Sequence, residues 1–438
     1  MATLTADYDA VVEISQELLE RFVLHAYFDG RVATEISLAF SQDPFQGRFA
    51  ARLLPPQVTL QFTPVDQGIP AVLQLIFPLA GSILVFAPST LAGTISLDGA
   101  SLTVDAPLEF MDVLALADPP EDLNATYVKL DLAYAEYRAS ITDPQLDSGF
   151  RVLLQNLVRT QGRRWFGTGV PPWFALPFPG SVYQLRTRHS DNAAEAYLAC
   201  FMQLGHRPGL PVGAFTTFIA ADDHVAVALS ADQVQRMASA QIRETFGGDL
   251  PAHDPSDNDT IVQTLEMQLM DGFIQISGTA TNDTILGTLR ISFFARAVFE
   301  GTEVRIVDVH PDVETPIALD LLAAFLPGLG AIVFVIVNEL AKSMAEDSVV
   351  RNADFTLPDL TFVARRVVVT PEGMVIHGKL SLGNFLGNRR TQELHLGWQC
   401  QWVYKMNPSN LVRFERYQDA FEQGYNGCRY CMRQVDTG

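Results

Sequence analysis

Val12-Glu-Ile-Ser-Gln-Glu-Leu-Leu-Glu-Arg-Phe22 and Val227-Ala-Leu-Ser-Ala-Asp-Gln-Val-Gln-Arg-Met237 are the two stretches on which the fold of this chain depends. In each, a short β-like run leads to a serine, Ser15 or Ser230, that can cap the N-terminus of a helix with an acidic residue in its first turn. Ser230 lies 215 residues after Ser15, and the valine, serine and arginine of the first stretch recur unchanged at that offset. The pattern predicts a repeat, with two ordinary strand-to-helix starts as the alternative.

The composition of the chain is acidic and poor in charge. Fifty acidic residues against thirty basic ones give a net charge of −20, and only 18% of the residues are charged while 48% are hydrophobic. Nucleic acid is excluded as a partner because phosphate binding needs clustered Lys and Arg, and an anionic membrane surface is disfavoured for the same reason. A surface with so few charges is typical of a protein that encloses apolar contents.

The N-terminal sequence and the cysteines bear on where the protein works. Met-Ala-Thr-Leu-Thr-Ala-Asp-Tyr-Asp has neither the basic nor the apolar region of a signal peptide. Four cysteines in 438 residues do not form a disulfide framework. We therefore expect a cytoplasmic, mostly reduced protein, with non-classical export left open.

The remaining sequence of each half is mostly β-like, with one further helix. In the first half we predict a turn at Leu79-Ala-Gly81, a helix at 150–164, and strands at 57–62, 71–77, 82–86, 94–97, 101–104 and 127–137. In the second half we predict a closing hairpin, 363–370 with 374–380, and earlier strands at 261–269, 273–279, 286–294 and 304–309. Both halves therefore share the order strand, helix, strands, helix, strands.

Ile317–Val337 is the most apolar stretch of the chain, and Asp320 is its one charged residue. The composition of the residues that follow, up to Met344, favours helix, so we predict an apolar helix at 317–344. As a helix, Ile317–Val337 would be roughly 31 Å long, about the thickness of a bilayer. Pro327, Asp320 and the acidic flanks argue against a membrane span. A dry core helix and a helix in contact with bound acyl chains stay open, and we favour the acyl chains.

The order of these elements resembles that of the tubular lipid-binding (TULIP) superfamily. The resemblance rests on the Ser-capped helix starts at 12–22 and 227–237, the meandering strands, the apolar helix, and a closing hairpin such as 357–362 with 373–378. The superfamily includes bactericidal/permeability-increasing-like proteins and accessory proteins of clostridial toxin clusters, and the second branch fits a chain without an evident signal peptide or disulfide. The resemblance implies an elongated α+β fold of two tandem modules, each a highly twisted antiparallel sheet wrapped around long apolar helices that enclose a lipid tunnel.

The predicted organisation and function follow from this resemblance. We expect a first module at 1–212, a second at 213–385, and a tail at 386–438 that carries aromatic and cysteine residues. The predicted function is non-enzymatic binding of a lipid, fatty acyl chain or other long apolar ligand in the tunnel, as a toxin-cluster or secretion accessory. The predicted lining residues are Leu18, Phe22, Met237, Leu321, Leu322, Phe325, Leu329, Ile332, Val333 and Ile336. The alternative is a structural or interaction protein with a dry core that docks a partner protein through the tail.

Motifs that would indicate catalysis or a cofactor are absent: there is no His-Glu-x-x-His, P-loop or Gly-x-Ser-x-Gly sequence. Cys428-Arg-Tyr-Cys431 is a Cys-x-x-Cys pair, and His395 and Cys400 lie upstream of it. Four such side chains can bind zinc, although the spacing of the upstream pair is wider than usual. We predict no metal and no cofactor, and leave open a zinc site, a redox pair or disulfide, and incidental thiols.

Trp165–Phe178 is a proline-broken aromatic segment. We favour a loop that packs back on its own module. The alternative is a loop tip that makes transient contact with a membrane or covers the mouth of a tunnel.

Overall fold

The structure is a computed structural model of the chain. It describes residues 4–28, 32–42, 45–61, 71–87, 90–111, 127–141, 148–166, 173–175, 181–189, 196–203, 217–220, 223–254, 257–284, 287–301, 303–311, 351–352, 355–356, 361–381, 385–396, 400, 402–414 and 416–436.

Strands dominate the described residues. In chain order they are β1 (Ala10–Ser15), β2 (Glu35–Gln42), β3 (Phe45–Leu53), β4 (Gln57–Gln61), β5 (Val72–Ala87), β6 (Thr90–Ser96), β7 (Ser101–Met111), β8 (Tyr127–Leu130), β9 (Glu136–Ser140), β10 (Trp173–Ala175), β11 (Ser181–His189), β12 (Ala196–Gln203), β13 (Val225–Ser230), β14 (Ala252–Asp254), β15 (Asp257–Met270), β16 (Phe273–Thr284), β17 (Gly287–Glu300), β18 (Glu303–Pro311), β19 (Arg351–Asn352), β20 (Phe355–Thr356), β21 (Thr361–Thr370), β22 (Gly373–Ser381), β23 (Phe385–Asn388), β24 (Glu393–Leu396), β25 (Leu411–Phe414) and β26 (Asn426–Gly427). The α-helices are α1 (Gln16–Phe28), α2 (Ser148–Phe166), α3 (Ala231–Phe246) and α4 (Tyr417–Glu422).

A six-stranded sheet in the order β11-β12-β1-β13-β22-β21 joins the two halves of the chain. Its central strands, β1 and β13, are antiparallel, and Val12 pairs with Val227. These two valines are equivalent in the predicted repeat, so a local two-fold axis passes between them. Ser15 N–H donates to the His224 carbonyl oxygen, and the equivalent Ser230 N–H donates to that of Asp9, at 2.9 Å in both cases.

The outer hairpins of this sheet extend the same symmetry. Val12 pairs with Cys200 of β12, and Val227 pairs with Ile376 of β22. A β-bulge shifts the register of β11 against β12 next to Met202, two residues after Cys200. The equivalent bulge of β21 against β22 lies next to Gly378, two residues after Ile376. The two hairpins therefore match in both position and irregularity.

The first half contains a nine-stranded sheet organised around β5. One end of β5 pairs with β4 and β7, and its other end pairs with β3 and β6. Gly81, where φ is +139°, lies at this change of partners, and a Cβ there would meet the Ala50 carbonyl oxygen at 2.4 Å. The prediction of two strands at 71–77 and 82–86, joined by a turn, is therefore wrong: glycine lets one strand bend and continue.

The interior of the first half is filled by side chains from α1, α2 and the sheet. A row of aromatic rings crosses it, with centroids 6.4 Å apart from Tyr27 to Phe77, 5.7 Å from Phe77 to Phe166, and 5.6 Å from Phe166 to Tyr137. The Tyr27 hydroxyl donates to the Leu53 carbonyl oxygen at 2.6 Å. Leu18 and Phe22 of α1 belong to the same buried core. Buried side chains in mutual contact of this kind are typical of an ordinary protein core.

The second half contains a meander in the order β14-β15-β16-β17-β18, as the strand pattern predicted. Its long strands alternate between faces, so that Ile274 and Ile276 are buried while their neighbours are partly exposed. Helix α3 packs on this sheet and on β13 and β22.

Residues 385–436 form a small C-terminal unit around a sheet in the order β25-β23-β24-β26. Its apolar residues, including Phe385 and Phe414, are continuous with the main core. Arg52 of β3 donates to the Arg433 carbonyl oxygen at 2.9 Å, which ties the unit to the first half.

The α+β class and the predominance of antiparallel sheet are confirmed. The predicted apolar helix at 317–344 lies outside the described residues, and the module boundaries stay a prediction. Among the residues that the structure describes, no helix combines the length and apolar character needed to cross a membrane.

Candidate functional site

Three of the predicted lining residues are described by the structure, and they differ in exposure. Leu18 and Phe22 are buried in the filled core of the first half, whereas Met237 on α3 is partly exposed and packs against the core. The other seven, Leu321, Leu322, Phe325, Leu329, Ile332, Val333 and Ile336, lie outside the described residues.

Helices α1 and α3 occupy equivalent places but present side chains of different size. Ser15 Oγ accepts from the Leu18 N–H and Ser230 Oγ from the Gln233 N–H, both at 3.3 Å, so both predicted caps are present. At the repeat offset, four of the apolar core residues of α1 correspond to smaller apolar residues on α3. The pairs are Leu19 and Val234, Phe22 and Met237, Val23 and Ala238, and Tyr27 and Ile242. Helix α3 therefore fills less of the space beneath it than α1 does.

The apolar side chains around α3 are incompletely covered. We use the name α3 surface for Met237, Ile242, Phe246, Leu265 and Met267, which are partly buried and pack against the core from α3 and from β15, the strand that α3 contacts. Of these, the sequence predicted only Met237. The alternation of Leu265, Met267 and Leu269 along β15 marks one sheet face, but sequence alone does not show which helix lies on that face.

A cavity of about 470 Å³ opens beside β7, β9 and α2 in the first half. Its lining is largely polar and includes Gln74, Thr103, Arg138, Arg151 and Gln155. An apolar chain placed here would desolvate charged and amide groups without pairing them, so this cavity is a poor site for a lipid tail.

The structure describes two parts of the aromatic segment Trp165–Phe178. Trp165 and Phe166 end helix α2, and the Trp165 ring stacks on Phe49 with centroids 6.4 Å apart. Trp173–Ala175 forms β10, which pairs with β8. Trp165 therefore packs within the first half, while most of the predicted loop lies outside the described residues and its conformation stays a prediction.

Asp223 and His377 form a buried polar pair at the central sheet. Asp223 lies just before β13, and His377 lies in the neighbouring strand β22. His377 Nδ1 lies 2.7 Å from an Asp223 carboxylate oxygen. Burial raises the pKa of Asp223, but the hydrogen bonds from His377 and the Ala220 N–H and the charge of Arg366 outweigh it, so the pKa lies below its ordinary value. Arg366 Nη2 is 3.4 Å from His377 Nε2. Because the guanidinium lies within 3.5 Å of both imidazole nitrogens, the pair is arranged as a structural network and not as a base facing a nucleophile.

Four metal-ligating side chains meet in the C-terminal unit. One ligand atom from each of His395, Cys400, Cys428 and Cys431 lies within 4.8 Å of the others. Cys400 Sγ is 3.4 Å from His395 Nδ1 and 4.0 Å from Cys428 Sγ. All four cysteines of the chain, these three and the buried Cys200, are free thiols. The Cys-x-x-Cys pair and the upstream histidine and cysteine therefore lie together in the folded chain.

The side chains of this Cys–His cluster have pKa values that are shifted in different directions. Burial lowers the pKa of His395, but its hydrogen bonds with Cys400 and Cys428 raise that pKa to about 9. The hydrogen bonds from Cys400 and Cys431 hold the pKa of the Cys428 thiol well below its usual range. The hydrogen bonds with Cys400 and Cys428 raise the pKa of Cys431. Without a cation the cluster favours a thiolate at Cys428 and a protonated thiol at Cys431.

The described residues thus form an α+β protein of antiparallel sheets with an apolar surface beneath one helix. Among solved structures, the chain is similar to P47 from Clostridium botulinum A2, with 12% identity and a TM-score of 0.48 over 86% of this chain and 98% of that chain. It is also similar to P47 of Clostridium botulinum E1, with 11% identity and a TM-score of 0.45 over 86% of this chain and 100% of that one. A third similar structure, a lipopolysaccharide binding protein, has 13% identity and a TM-score of 0.31 over 85% of this chain and 98% of that chain.

No protein-family model and no curated protein matches the chain. The resemblance stated from the sequence, to clostridial toxin-cluster proteins and bactericidal/permeability-increasing-like proteins, is confirmed as a resemblance by these solved structures.

Proposed function

We propose that the chain binds a lipid or another long apolar ligand, without catalysis, against the α3 surface of the second half. The observation that carries this proposal is the contrast between equivalent helices. The core beneath α1 is closed by Phe22 and Tyr27, whereas the smaller Met237 and Ile242 of α3 stay partly exposed.

An acyl chain would cover these side chains at a useful gain in free energy. Each buried CH₂ contributes about 0.8 kcal/mol, so full burial of a tail of about sixteen carbons gains roughly 13 kcal/mol before the entropy cost of binding. Methionines at positions 237 and 267 suit such a ligand because their flexible thioethers adapt to irregular apolar shapes. A tunnel that continues along 317–344, and a role as a toxin-cluster or secretion accessory, belong to the same proposal.

The two-module organisation is part of the proposal. It is supported by the antiparallel pairing of β1 with β13 at equivalent valines and by the matched bulges of the outer hairpins. The cytoplasmic location stays a prediction, as does transient membrane contact through the segment at 165–178.

Native mass spectrometry of the purified full chain, combined with organic extraction, tests lipid binding. We expect a co-purified apolar molecule bound at one per chain, released by solvent and identifiable in the extract. A chain that carries no lipid and takes up none when mixed with fatty acids or phospholipids would contradict the proposal.

A second candidate function is docking of a partner protein through the C-terminal unit, with a dry interior. It is supported by Trp402 and Tyr430, which are 38% and 53% exposed. Their ring centroids lie 5.4 Å apart, and Lys405 Nζ lies 4.4 Å from the Trp402 ring. Exposed aromatic pairs of this kind are typical of binding hot spots.

A photo-crosslinking residue placed at Trp402 tests this second candidate. The matched control is Tyr134 of the first half, which is 70% exposed. One dominant protein adduct at position 402 that is missing at position 134 would support docking, and the same adducts at both positions would contradict it.

A further inference from the structure

The Cys–His cluster of the C-terminal unit has the ligand set of a metal site. His395 ends β24, Cys400 follows it, and Cys428 and Cys431 lie in the turn after β26. His395, Cys400 and Cys428 are buried, and Cys431 is partly exposed. Two stretches of the chain, 395–400 and 428–431, thus bring one imidazole and three sulfurs close together.

Two of the distances between ligand atoms are close to those of a tetrahedral zinc site, and all of them are within 4.8 Å. With Zn–S bonds of about 2.3 Å and Zn–N bonds of about 2.0–2.1 Å, tetrahedral geometry places sulfurs about 3.8 Å apart and sulfur and nitrogen about 3.6 Å apart. The observed distances are 4.0 Å between the Sγ atoms of Cys400 and Cys428 and 3.4 Å between Cys400 Sγ and His395 Nδ1. Shifts of a few tenths of an ångström would make these two distances ideal.

The backbone around the cysteine pair is arranged to support sulfur ligands. The Tyr430 N–H donates to Cys428 Sγ at 3.5 Å, and the Leu396 N–H donates to Cys431 Sγ at 3.4 Å. The Cys428 N–H donates to the Leu394 carbonyl oxygen at 2.8 Å, which fixes the turn against β24. Amide donors of this kind stabilise the thiolate form that a metal requires and orient the sulfurs toward one point.

We propose that His395, Cys400, Cys428 and Cys431 bind one Zn²⁺ ion in a tetrahedral structural site. Three thiolates with one imidazole favour zinc over magnesium or calcium, which prefer oxygen ligands. Four protein ligands complete the zinc coordination and leave no position for water or substrate, so the ion is structural and not catalytic.

The ion would fix the surface of the C-terminal unit as well as its interior. Trp402 follows Cys400 by two residues, and Tyr430 lies between Cys428 and Cys431. Zinc would therefore hold both backbone segments that carry the exposed aromatic pair. A metal cross-link would add to the stability that the unit gains by sharing the main core.

Metal analysis of the full chain tests the site. We expect about one zinc per chain in protein purified without chelators, and at least a ten-fold loss of bound zinc under chelator competition in Cys431→Ser, the most exposed of the three ligand cysteines. Cys200→Ala is the matched control, because Cys200 lies in β12 with no part in the cluster, and it should retain the zinc of the wild type.

Cobalt replacement in the wild-type chain gives a reading that does not depend on a variant. Tetrahedral cobalt–thiolate coordination should give intense visible and thiolate charge-transfer absorption that Zn²⁺ displaces. Substoichiometric zinc together with no such spectrum would overturn the proposal. A Cys428–Cys431 disulfide in the protein as purified would also overturn it and would indicate a redox pair.

Discussion

At the residue scale, the buried Asp223 carboxylate shows how the central sheet tolerates charge. It accepts from His377 at 2.7 Å and from the Ala220 N–H at 3.0 Å, and these hydrogen bonds compensate for its burial. Because its pKa is lower in the folded protein than in the unfolded chain, its contribution to stability is present above the ordinary Asp pKa and is lost as pH falls through the folded value.

Asp223→Asn should therefore destabilise the chain by about 2 kcal/mol near neutral pH, through loss of a charge-assisted hydrogen bond. The difference from wild type should shrink as pH falls below about 4. Denaturant unfolding across this pH range measures it. Asp249→Asn, which removes an exposed ion pair with Arg243, is the control and should cost less than about 1 kcal/mol. A difference for Asp223→Asn that stays constant with pH would contradict this account.

Gly162 is the residue where helix α2 allows a tyrosine to approach. A Cβ at this position would lie 2.2 Å from the Tyr137 ring. Gly162→Ala should destabilise the chain by about 1–3 kcal/mol, although alanine is the better helix former by up to about 1 kcal/mol. Thermal unfolding of the variant and the wild type measures whether the substitution lowers or raises stability. A stabilised variant would show that α2 does not pack on Tyr137 as described.

At the element scale, local signals in the sequence predicted local structure well. The serine caps, the closing hairpin and the meander follow from residues that are neighbours in sequence. The bend at Gly81 was missed because Leu79-Ala-Gly81 is as compatible with a turn as with a strand that changes partners. The α3 surface was mostly missed because β15, which carries Leu265 and Met267, meets α3 only through long-range packing. The pairing of β1 with β13 is likewise decided by register between distant residues, which no local pattern contains.

The two caps give a prediction about the repeat. Ser15→Ala and Ser230→Ala should each cost about 1 kcal/mol, because each removes an acceptor for a first-turn N–H. The sites lie at opposite ends of the β1–β13 pair, roughly 20 Å apart by strand rise, so the costs should add in the double variant. Guanidinium unfolding measures the sum. Ser→Asn at either site should retain most of the stability, and a double variant no weaker than one single variant would contradict independent caps.

At the scale of the whole molecule, the C-terminal unit packs on the first half and carries the Cys–His cluster. If zinc occupies that cluster, chelation should loosen residues 386–436 before the rest of the chain. Limited proteolysis with and without a chelator should then show new cleavage confined to this unit, reversed by added zinc. Cleavage that is unchanged by the chelator would show that the unit is stable without metal.

The central claim is that the side chains of α3 leave apolar surface for a ligand, whereas the larger side chains of α1 close the core beneath that helix. It is tested most directly by titrating the delipidated full chain with a fluorescent long-chain fatty acid. The Met237→Phe/Ile242→Tyr variant places on α3 the side chains that close the core beneath α1, and Ala240→Tyr adds a ring to the exposed face of the same helix as the control. We predict saturable binding at one per chain in the wild type and the control, and at least ten-fold weaker binding in the filled variant. No uptake by the wild type, or equal affinity in all three proteins, would contradict the account.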